Sequence, residues 1–356
     1  MPDRLRGAQP AGTAEPAAPG RLSFRGRTTR LAVAAVGVLF AGVTFAYFLP
    51  QIADYRDVWG VVKELSWEWL VALGAATILN LVTFAPPWMV ALPGLKFRSA
   101  LAMTQVSTAL SIVLPAGAAV GIAGAYGVLR RWGFAGREIA RAVTVVSLWN
   151  QFANLSYPVI AVALLSVTGG GDSPVLVTAA IIGVAVLIVA IAALTAVLAS
   201  DRTALGTGDL TARVVNAFRR RLRREAVLWG GTNFERFRRD AVDLLRRRWH
   251  VLTLVTYAGT LTVFLLLLVS LRACGVTGSE VSFVEAFAAW SLARILGSVP
   301  ITPGGLGVVE LGLSGALVGF GGENVGVVAA VLVYRFLTIV PTLALGLVAA
   351  TTLRRR

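Results

Sequence analysis

Arg294, Glu310 and Arg335 are charged residues inside long apolar stretches in the second half of the chain. A charged side chain at the centre of a bilayer costs roughly 2.5–3.5 kcal/mol, so it needs a partner or access to water. Guanidinium groups bind phosphate through charge-assisted hydrogen bonds, and a carboxylate can pair with a guanidinium or take up a proton. We therefore interpret these residues as a polar site at mid-membrane that binds a headgroup phosphate or couples to protons.

A second interpretation of the same charges is structural. Arg335 lies in the middle of the last apolar run and needs a partner, and Glu310 is the obvious one. A buried pair of these two residues could serve only to fix the stretch around Glu310 to the last helix. The two interpretations are compatible, because a pair that fixes a helix can also line a binding site.

The run SVPITPGGLGVVE, residues 298–310, interrupts the apolar sequence between Arg294 and Arg335. Proline has no backbone N–H, and glycine loosens the backbone, so a regular helix cannot continue through this run. In hydrocarbon, broken backbone is tolerated only where protein or a water-filled cavity surrounds it. The predicted site for substrate binding or coupling therefore also includes Pro303, Gly304 and Gly305.

The first half of the chain has amides where the second half has charges. Asn150 and Asn154 are four residues apart, which places them on one helix face. Together with a weaker break at Pro115 and Gly117, they are predicted to line a hydrophilic path. The alternative is that these amides only join helices by hydrogen bonding.

The composition predicts an integral membrane protein. Hydrophobic residues make up 56% of the 356 residues and charged residues 14%, whereas soluble domains have about 25% charged residues. The net charge of +15 comes almost entirely from Arg near the ends of apolar runs. This distribution indicates membrane topology and contact with anionic lipid headgroups, and it excludes nucleic acid as the expected partner.

Metal, cofactor and catalytic chemistry are not expected. The single Cys274 excludes an internal disulfide and a cysteine-based metal site, and the single His250 cannot form a histidine cluster. The sequence has no nucleophile elbow, phosphate-binding loop or pair of catalytic carboxylates. We therefore predict no catalytic residue, no metal and no cofactor.

The apolar runs predict an all-α polytopic membrane helix bundle. Full membrane spans are predicted at residues 31–49, 69–92, 141–166, 174–199, 250–271 and 325–350. Asn80 and Pro86-Pro87 predict a kink in the second of these spans. Two further runs, 99–129 and 283–320, are broken by Pro and Gly and are predicted as re-entrant hairpins. The alternative is that both runs cross the membrane, which gives eight spans.

The loop charges orient these elements by the positive-inside rule. The segment 1–30 is predicted to be disordered, basic and cytoplasmic, and the tail 351–356 is also cytoplasmic. The segment 201–249 has thirteen Arg against six acidic residues, and it is predicted to be a cytoplasmic amphipathic surface segment. It serves either as a membrane anchor or as a surface that recruits substrate.

This orientation makes the first hairpin enter from the cytoplasm and the second from outside. The domain 31–350 is therefore predicted to be an inverted repeat, with repeat one at 31–166 and repeat two at 174–350. An offset of 188 residues aligns Pro115 with Pro303 and Gly117 with Gly305.

The sequence VPITPGGLGVVE at 299–310, with Arg294 before it and YRFLT at 334–338, resembles the lysylphosphatidylglycerol synthase transmembrane-region family. These proteins are also described as flippase-like, and the resemblance covers about residues 30–350. The resemblance implies a membrane module that moves a lipid across the bilayer. Because the chain ends at Arg356, directly after the last span, we expect a stand-alone member without the family's aminoacyl-transferase domain.

The predicted function is therefore transport and not catalysis. We expect a flippase-like protein that translocates an anionic lipid, or a lipid-linked intermediate, across a bacterial cytoplasmic membrane. The alternative is a membrane subunit that transports nothing and docks a separate cytoplasmic enzyme through 201–249. The Arg-rich, Lys-poor composition indicates a bacterium with a GC-rich genome.

Overall fold

The computed structural model describes residues 55–114, 117–167, 231–298 and 303–353, together with five single positions between 181 and 192. Several predicted features lie outside the described residues. They are the segment 1–30, the span 31–49, the span 174–199 apart from those five positions, the first part of the Arg-rich segment at 201–230, and Pro115.

The described residues contain α-helices and one short 3-10 turn, and no strand occurs among them. The helices are α1 Tyr55–Lys63, α2 Trp67–Thr83, α3 Pro86–Ala91, α4 Phe97–Val113, α5 Gly117–Arg131, α6 Gly136–Val167, α7 Gly231–Ala273, α8 Phe283–Ser298, α9 Val308–Gly319 and α10 Asn324–Leu353. The 3-10 turn is Pro303–Gly305, between α8 and α9.

Four predicted spans are helical in the structure, and each is long and apolar enough to cross a membrane. They are Trp67–Ala91, Gly136–Val167, Val242–Ala273 and Asn324–Thr351. The first contains the predicted kink, because α2 ends at Thr83 and α3 begins at Pro86. The prediction of an all-α polytopic bundle is confirmed.

The cytoplasmic boundary of α7 differs from the sequence prediction. The sequence predicts that the segment 201–249 is separate from the span that begins at residue 250. The structure instead has one continuous helix of 43 residues from Gly231 to Ala273. No Pro or Gly occurs between 232 and 258, so nothing in the sequence ends the helix where the composition changes from basic to apolar.

The two broken runs each form a pair of short antiparallel helices. Gly117 of α5 lies against Ser111 of α4, and Gly121 lies against Ser107, whose hydroxyl donates to the Gly121 carbonyl over 2.8 Å. In the second pair, Gly312 of α9 lies against the side chain of Leu296 in α8. These helices have 12 to 17 residues, fewer than the roughly 20 that a full crossing needs.

The halves of the chain exchange packing partners. The hairpin helix α4 packs on α10 of the second half, and the hairpin helix α8 packs on α6 of the first half. The spans α2 and α7 also pack on each other. Each hairpin is therefore held against a span of the other half, and the inverted repeat stays a prediction.

Small residues and hydroxyls allow close packing between the halves. An added β-carbon at Gly346 of α10 would lie 2.7 Å from the Ala109 Cβ and 2.9 Å from the Gln105 carbonyl oxygen of α4. At the α2–α7 contact, the Asn80 amide donates to the Thr262 hydroxyl over 3.2 Å. Small residues and polar side chains are the usual means by which helices associate in lipid.

We expect Gly346→Ala to destabilise the protein by about 1–3 kcal/mol, because the methyl group has no room between α10 and α4. The control is Gly127→Ala in α5, where nothing lies within 4 Å of an added β-carbon. Thermal unfolding in detergent should show a lower midpoint for Gly346→Ala alone. Equal midpoints for the two variants would contradict the close contact between these helices.

Candidate functional site

The tip of the second hairpin has a backbone that only glycine adopts readily. The φ angles are 62° at Gly304, 67° at Gly305 and 84° at Gly307, all in the left-handed region. These conformations turn the chain from the 3-10 turn into α9. The predicted break is therefore a tight, glycine-dependent turn at the described positions 303–307.

Glu310 lies in the first turn of α9, directly after this turn, and its side chain is buried at 2% exposure. One carboxylate oxygen, Oε2, accepts a hydrogen bond from the backbone N–H of Gly307 over 2.7 Å. A carboxylate in the first turn also interacts favourably with the helix dipole. The position of Glu310 is thus fixed by its own helix.

Arg335 of α10 completes the pairing that the sequence predicts. Its Nε donates to the other Glu310 carboxylate oxygen, Oε1, over 2.6 Å. Its Nη2 donates to the carbonyl oxygen of Gly304 over 3.0 Å. One guanidinium therefore joins the last helix to both sides of the hairpin turn.

Arg294 of α8 has different partners. Its Nε and Nη2 both donate to the Asn154 side-chain oxygen of α6, over 2.9 and 2.6 Å. Its guanidinium also lies over the Trp290 ring, 5.2 Å from the centroid. Both partners are neutral, so its positive charge is not neutralised by these contacts.

The two guanidinium groups line one cavity of about 250 Å³. The polar part of its wall consists of Asn154, Trp290, Arg294, Ser298, Tyr334 and Arg335. Since a water molecule occupies about 30 Å³ in the liquid, this volume accommodates a phosphate and a small polar group. Guanidinium donors of this kind suit an anion and not a metal ion.

The hairpin tips also contact each other. An added β-carbon at Gly304 would lie 3.2 Å from the Ile112 Cγ2 and 3.4 Å from the Ile112 carbonyl oxygen. Ile112 belongs to the last turn of α4, in the first hairpin. The part of the cavity wall formed by Gly304 therefore packs against the first hairpin.

A family model described as the lysylphosphatidylglycerol synthase TM region matches residues 30–346. The chain belongs to this family. Together with the apolar helices, this membership makes the protein a multi-pass membrane protein. Comparison with curated proteins finds no match.

The structure brings together only part of the site that the sequence predicts for this family member. Arg294, Gly304, Arg335 and the path residue Asn154 line the cavity, and Glu310 lies behind Arg335. Gly305 packs on Val309 and Gly297, next to the cavity. Pro303 begins the 3-10 turn.

The other path-lining candidates have different surroundings. The Asn150 amide donates to the Val146 carbonyl of its own helix over 3.0 Å, and Asn150 is not part of the cavity wall. Gly117 packs directly on the Ser111 backbone. Pro115 lies outside the described residues. Of the charges in apolar runs, Glu285 accepts hydrogen bonds from the Ser282 N–H and hydroxyl, so it caps α8.

Trp290, Ser298 and Tyr334 are cavity residues that the sequence reasoning did not select. The spacing in the sequence does indicate Trp290, because it precedes Arg294 by four residues and so lies on the same helix face. Tyr334 is adjacent to Arg335, but consecutive helix residues point in different directions, so no spacing rule indicated it. Trp290 also has edge contacts with Tyr157, at 5.1 Å between ring centroids, which make it a rigid wall.

We expect Arg335→Gln to destabilise the protein by about 3–5 kcal/mol, because it leaves the buried Glu310 carboxylate without its cation. The double variant Glu310→Gln/Arg335→Gln should recover much of this loss, because neither side chain is then charged. The measurement is a double-mutant cycle on thermal unfolding in detergent. Additive losses from the two substitutions would show that the pair is not coupled.

Proposed function

We propose that this protein translocates an anionic lipid, or a lipid-linked intermediate with an anionic headgroup, across the cytoplasmic membrane. The observation that carries the proposal is the charge of the cavity. Two guanidinium groups line it, and of the two only Arg335 pairs with a carboxylate within the described part of the chain, that of Glu310. The cavity therefore has one positive charge in excess, which an anionic headgroup would neutralise.

The position of the cavity supports a lipid as the substrate. Arg335 is the twelfth residue of α10, roughly 17 Å along a helix that rises 1.5 Å per residue. That distance is near the middle of a hydrocarbon core of about 30 Å. The flanking residues Leu292 and Ile295 of α8 are exposed apolar side chains, and they offer a surface for acyl chains while the headgroup occupies the cavity.

Each cavity residue has a separate role in this proposal. Arg294 binds the headgroup phosphate, and it exchanges the neutral Asn154 oxygen for an anionic one. Arg335 offers further N–H donors to the headgroup. Its hydrogen bonds to the Glu310 carboxylate and the Gly304 carbonyl hold its guanidinium in position. The chemistry is binding and release, so the proposal includes no covalent step and no enzyme activity.

Movement of the second hairpin would give access from the two sides in turn. The contact between Gly304 and Ile112 and the hydrogen bonds between Arg294 and Asn154 both join the halves of the chain. We infer that both contacts open and close during transport. Broken helices next to a central site are typical of transporters built from inverted repeats.

The orientation and the cytoplasmic partner belong to the same proposal. Arg246, Arg247 and Arg248 are exposed near the middle of α7, which suits a cytoplasmic position under the positive-inside rule. We propose cytoplasmic termini and a surface on α7 that a cytoplasmic enzyme could bind. Co-purification of such an enzyme, with no lipid movement, would favour the docking alternative.

We expect the purified protein in vesicles to move fluorescent phosphatidylglycerol between leaflets. Arg294→Gln, Arg335→Ala and Glu310→Gln should each slow this movement at least tenfold, a loss of about 1.4 kcal/mol or more. The measurement is the fraction of the lipid label that a membrane-impermeant quencher reaches over time.

Glu285→Gln is the matched control, because it removes a carboxylate that caps α8 and does not line the cavity. It should keep the transport rate of the unmodified protein. All variants should elute as folded protein in size-exclusion chromatography. Unchanged rates in all three site variants would contradict the proposed site.

We also expect a cross-link between Ile112→Cys and Gly304→Cys to stop transport, because the two hairpin tips could no longer separate. The background is Cys274→Ser, which removes the chain's single native cysteine. Cleavage of a reducible cross-linker should restore the rate. Each single-cysteine variant is compared with its own rate before the reagent is added, because Gly304→Cys alone changes a left-handed residue of the cavity wall. Continued transport in the cross-linked protein would contradict movement at the tips.

A further inference from the structure

We propose that the cavity selects a headgroup with one negative charge and no ammonium group. It should therefore discriminate against lysylphosphatidylglycerol, the lipid in the family's description. That lipid has one phosphate charge and two lysyl ammonium groups, so its headgroup is positive at neutral pH. The inference concerns the same cavity and rests on the proposed function for its biological meaning, but binding alone can test it.

Few carboxylates of this chain lie in its apolar runs, and the sequence gives all of them. The chain has 18 acidic residues, and none lies in the predicted spans 31–49, 69–92, 141–166, 174–199, 250–271 or 325–350. In the broken runs the acidic residues are Glu285 and Glu310. Glu285 precedes Arg294 by nine residues, roughly 14 Å along the helix axis, so it cannot reach a group bound at Arg294.

Both carboxylate oxygens of Glu310 already have a partner, and the side chain is buried. Its Oε1 accepts from Arg335 and its Oε2 accepts from the Gly307 N–H. The carboxylate is 2% exposed and does not belong to the cavity wall. An ammonium group in the cavity would therefore meet the Arg335 guanidinium and not the Glu310 carboxylate behind it.

The face of the Trp290 ring in the cavity wall is also occupied. Ammonium groups bind to the faces of Trp or Tyr rings when no carboxylate is available. Here the Trp290 ring already has the Arg294 guanidinium over it, at 5.2 Å from the centroid. Two like charges cannot share that face without repulsion, so the ring does not provide a site for a lysyl group.

The remaining polar groups of the wall favour a phosphodiester. Arg294 and Arg335 offer donors. The Ser298 hydroxyl donates to the Arg294 carbonyl and keeps acceptor capacity for a glycerol hydroxyl. The Asn154 amide donates one of its two N–H groups to Gln151 and keeps the other for an ester oxygen. One excess positive charge matches one phosphodiester charge. A volume of about 250 Å³ is consistent with a small headgroup whose acyl chains stay in the bilayer.

The test compares phosphatidylglycerol with lysylphosphatidylglycerol, both with the same acyl chains, as ligands of the full chain in detergent. We expect phosphatidylglycerol to bind at least tenfold more tightly, measured by the lipid concentration that raises the thermal unfolding midpoint. Equal or tighter binding of lysylphosphatidylglycerol would overturn the inference. Flipping of the same two lipids in vesicles is measured in parallel.

Two variants connect the preference to charge. Asn154→Asp keeps the size of the side chain but adds a carboxylate at the Arg294 contact, and it should reduce the preference for phosphatidylglycerol at least threefold. Arg294→Glu should reverse the preference. Glu285→Gln, which changes a carboxylate that caps α8 outside the cavity wall, is the control and should leave the preference unchanged. An unchanged preference in Asn154→Asp would overturn the inference even if Arg294→Glu failed to fold.

The two readouts separate this inference from the proposed function. Selective binding without movement of either lipid would support the selectivity and reject the transport proposal. Movement of both lipids at equal rates, with equal binding, would support transport and reject the selectivity.

Discussion

The bonds made by Arg335 are the interaction on which the second half of this protein depends. Its guanidinium joins α10 to Glu310 at the start of α9 and to the Gly304 carbonyl at the hairpin turn. A turn with three left-handed glycines leaves backbone groups outside any helix, and lipid offers no water to satisfy them. The Arg335 guanidinium gives the Gly304 carbonyl of this turn a hydrogen-bond partner, and it also forms part of the cavity wall. The shape of the turn and the charge of the cavity therefore depend on the same side chain.

The predicted repeats have different residues at the positions that the 188-residue offset pairs. Under the offset of 188 residues, Arg294 aligns with Val106, Glu310 with Ile122 and Asn154 with Thr342. Val106 and Thr342 are buried, and the α4–α10 contact is packed closely through Gly346. The positions paired with Arg294 and Asn154 therefore contribute to helix packing, whereas Arg294 and Asn154 themselves line a polar cavity between the halves.

Much of the fold could be predicted from the length of the apolar runs and from the polarity of the residues between them. The spans that became α6 and α10 were apparent as apolar runs, and the kink before Pro86 followed from proline chemistry. The pairing of Arg335 with Glu310 was predictable by elimination, since few charges lie in the apolar runs. The partner of Arg294 was not, because Asn154 lies 140 residues away and only the packing of α8 on α6 brings the two together.

The length of α7 has a mechanical consequence. At 1.5 Å per residue its 43 residues extend roughly 65 Å, about twice the thickness of a hydrocarbon core. An unbroken helix behaves as a stiff rod, so a tilt imposed at its basic end reaches the contacts with α2, α6 and α10. If a lipid surface or a protein moved the basic end of α7, the rest of the helix would move with it. That movement would change the packing between the two halves.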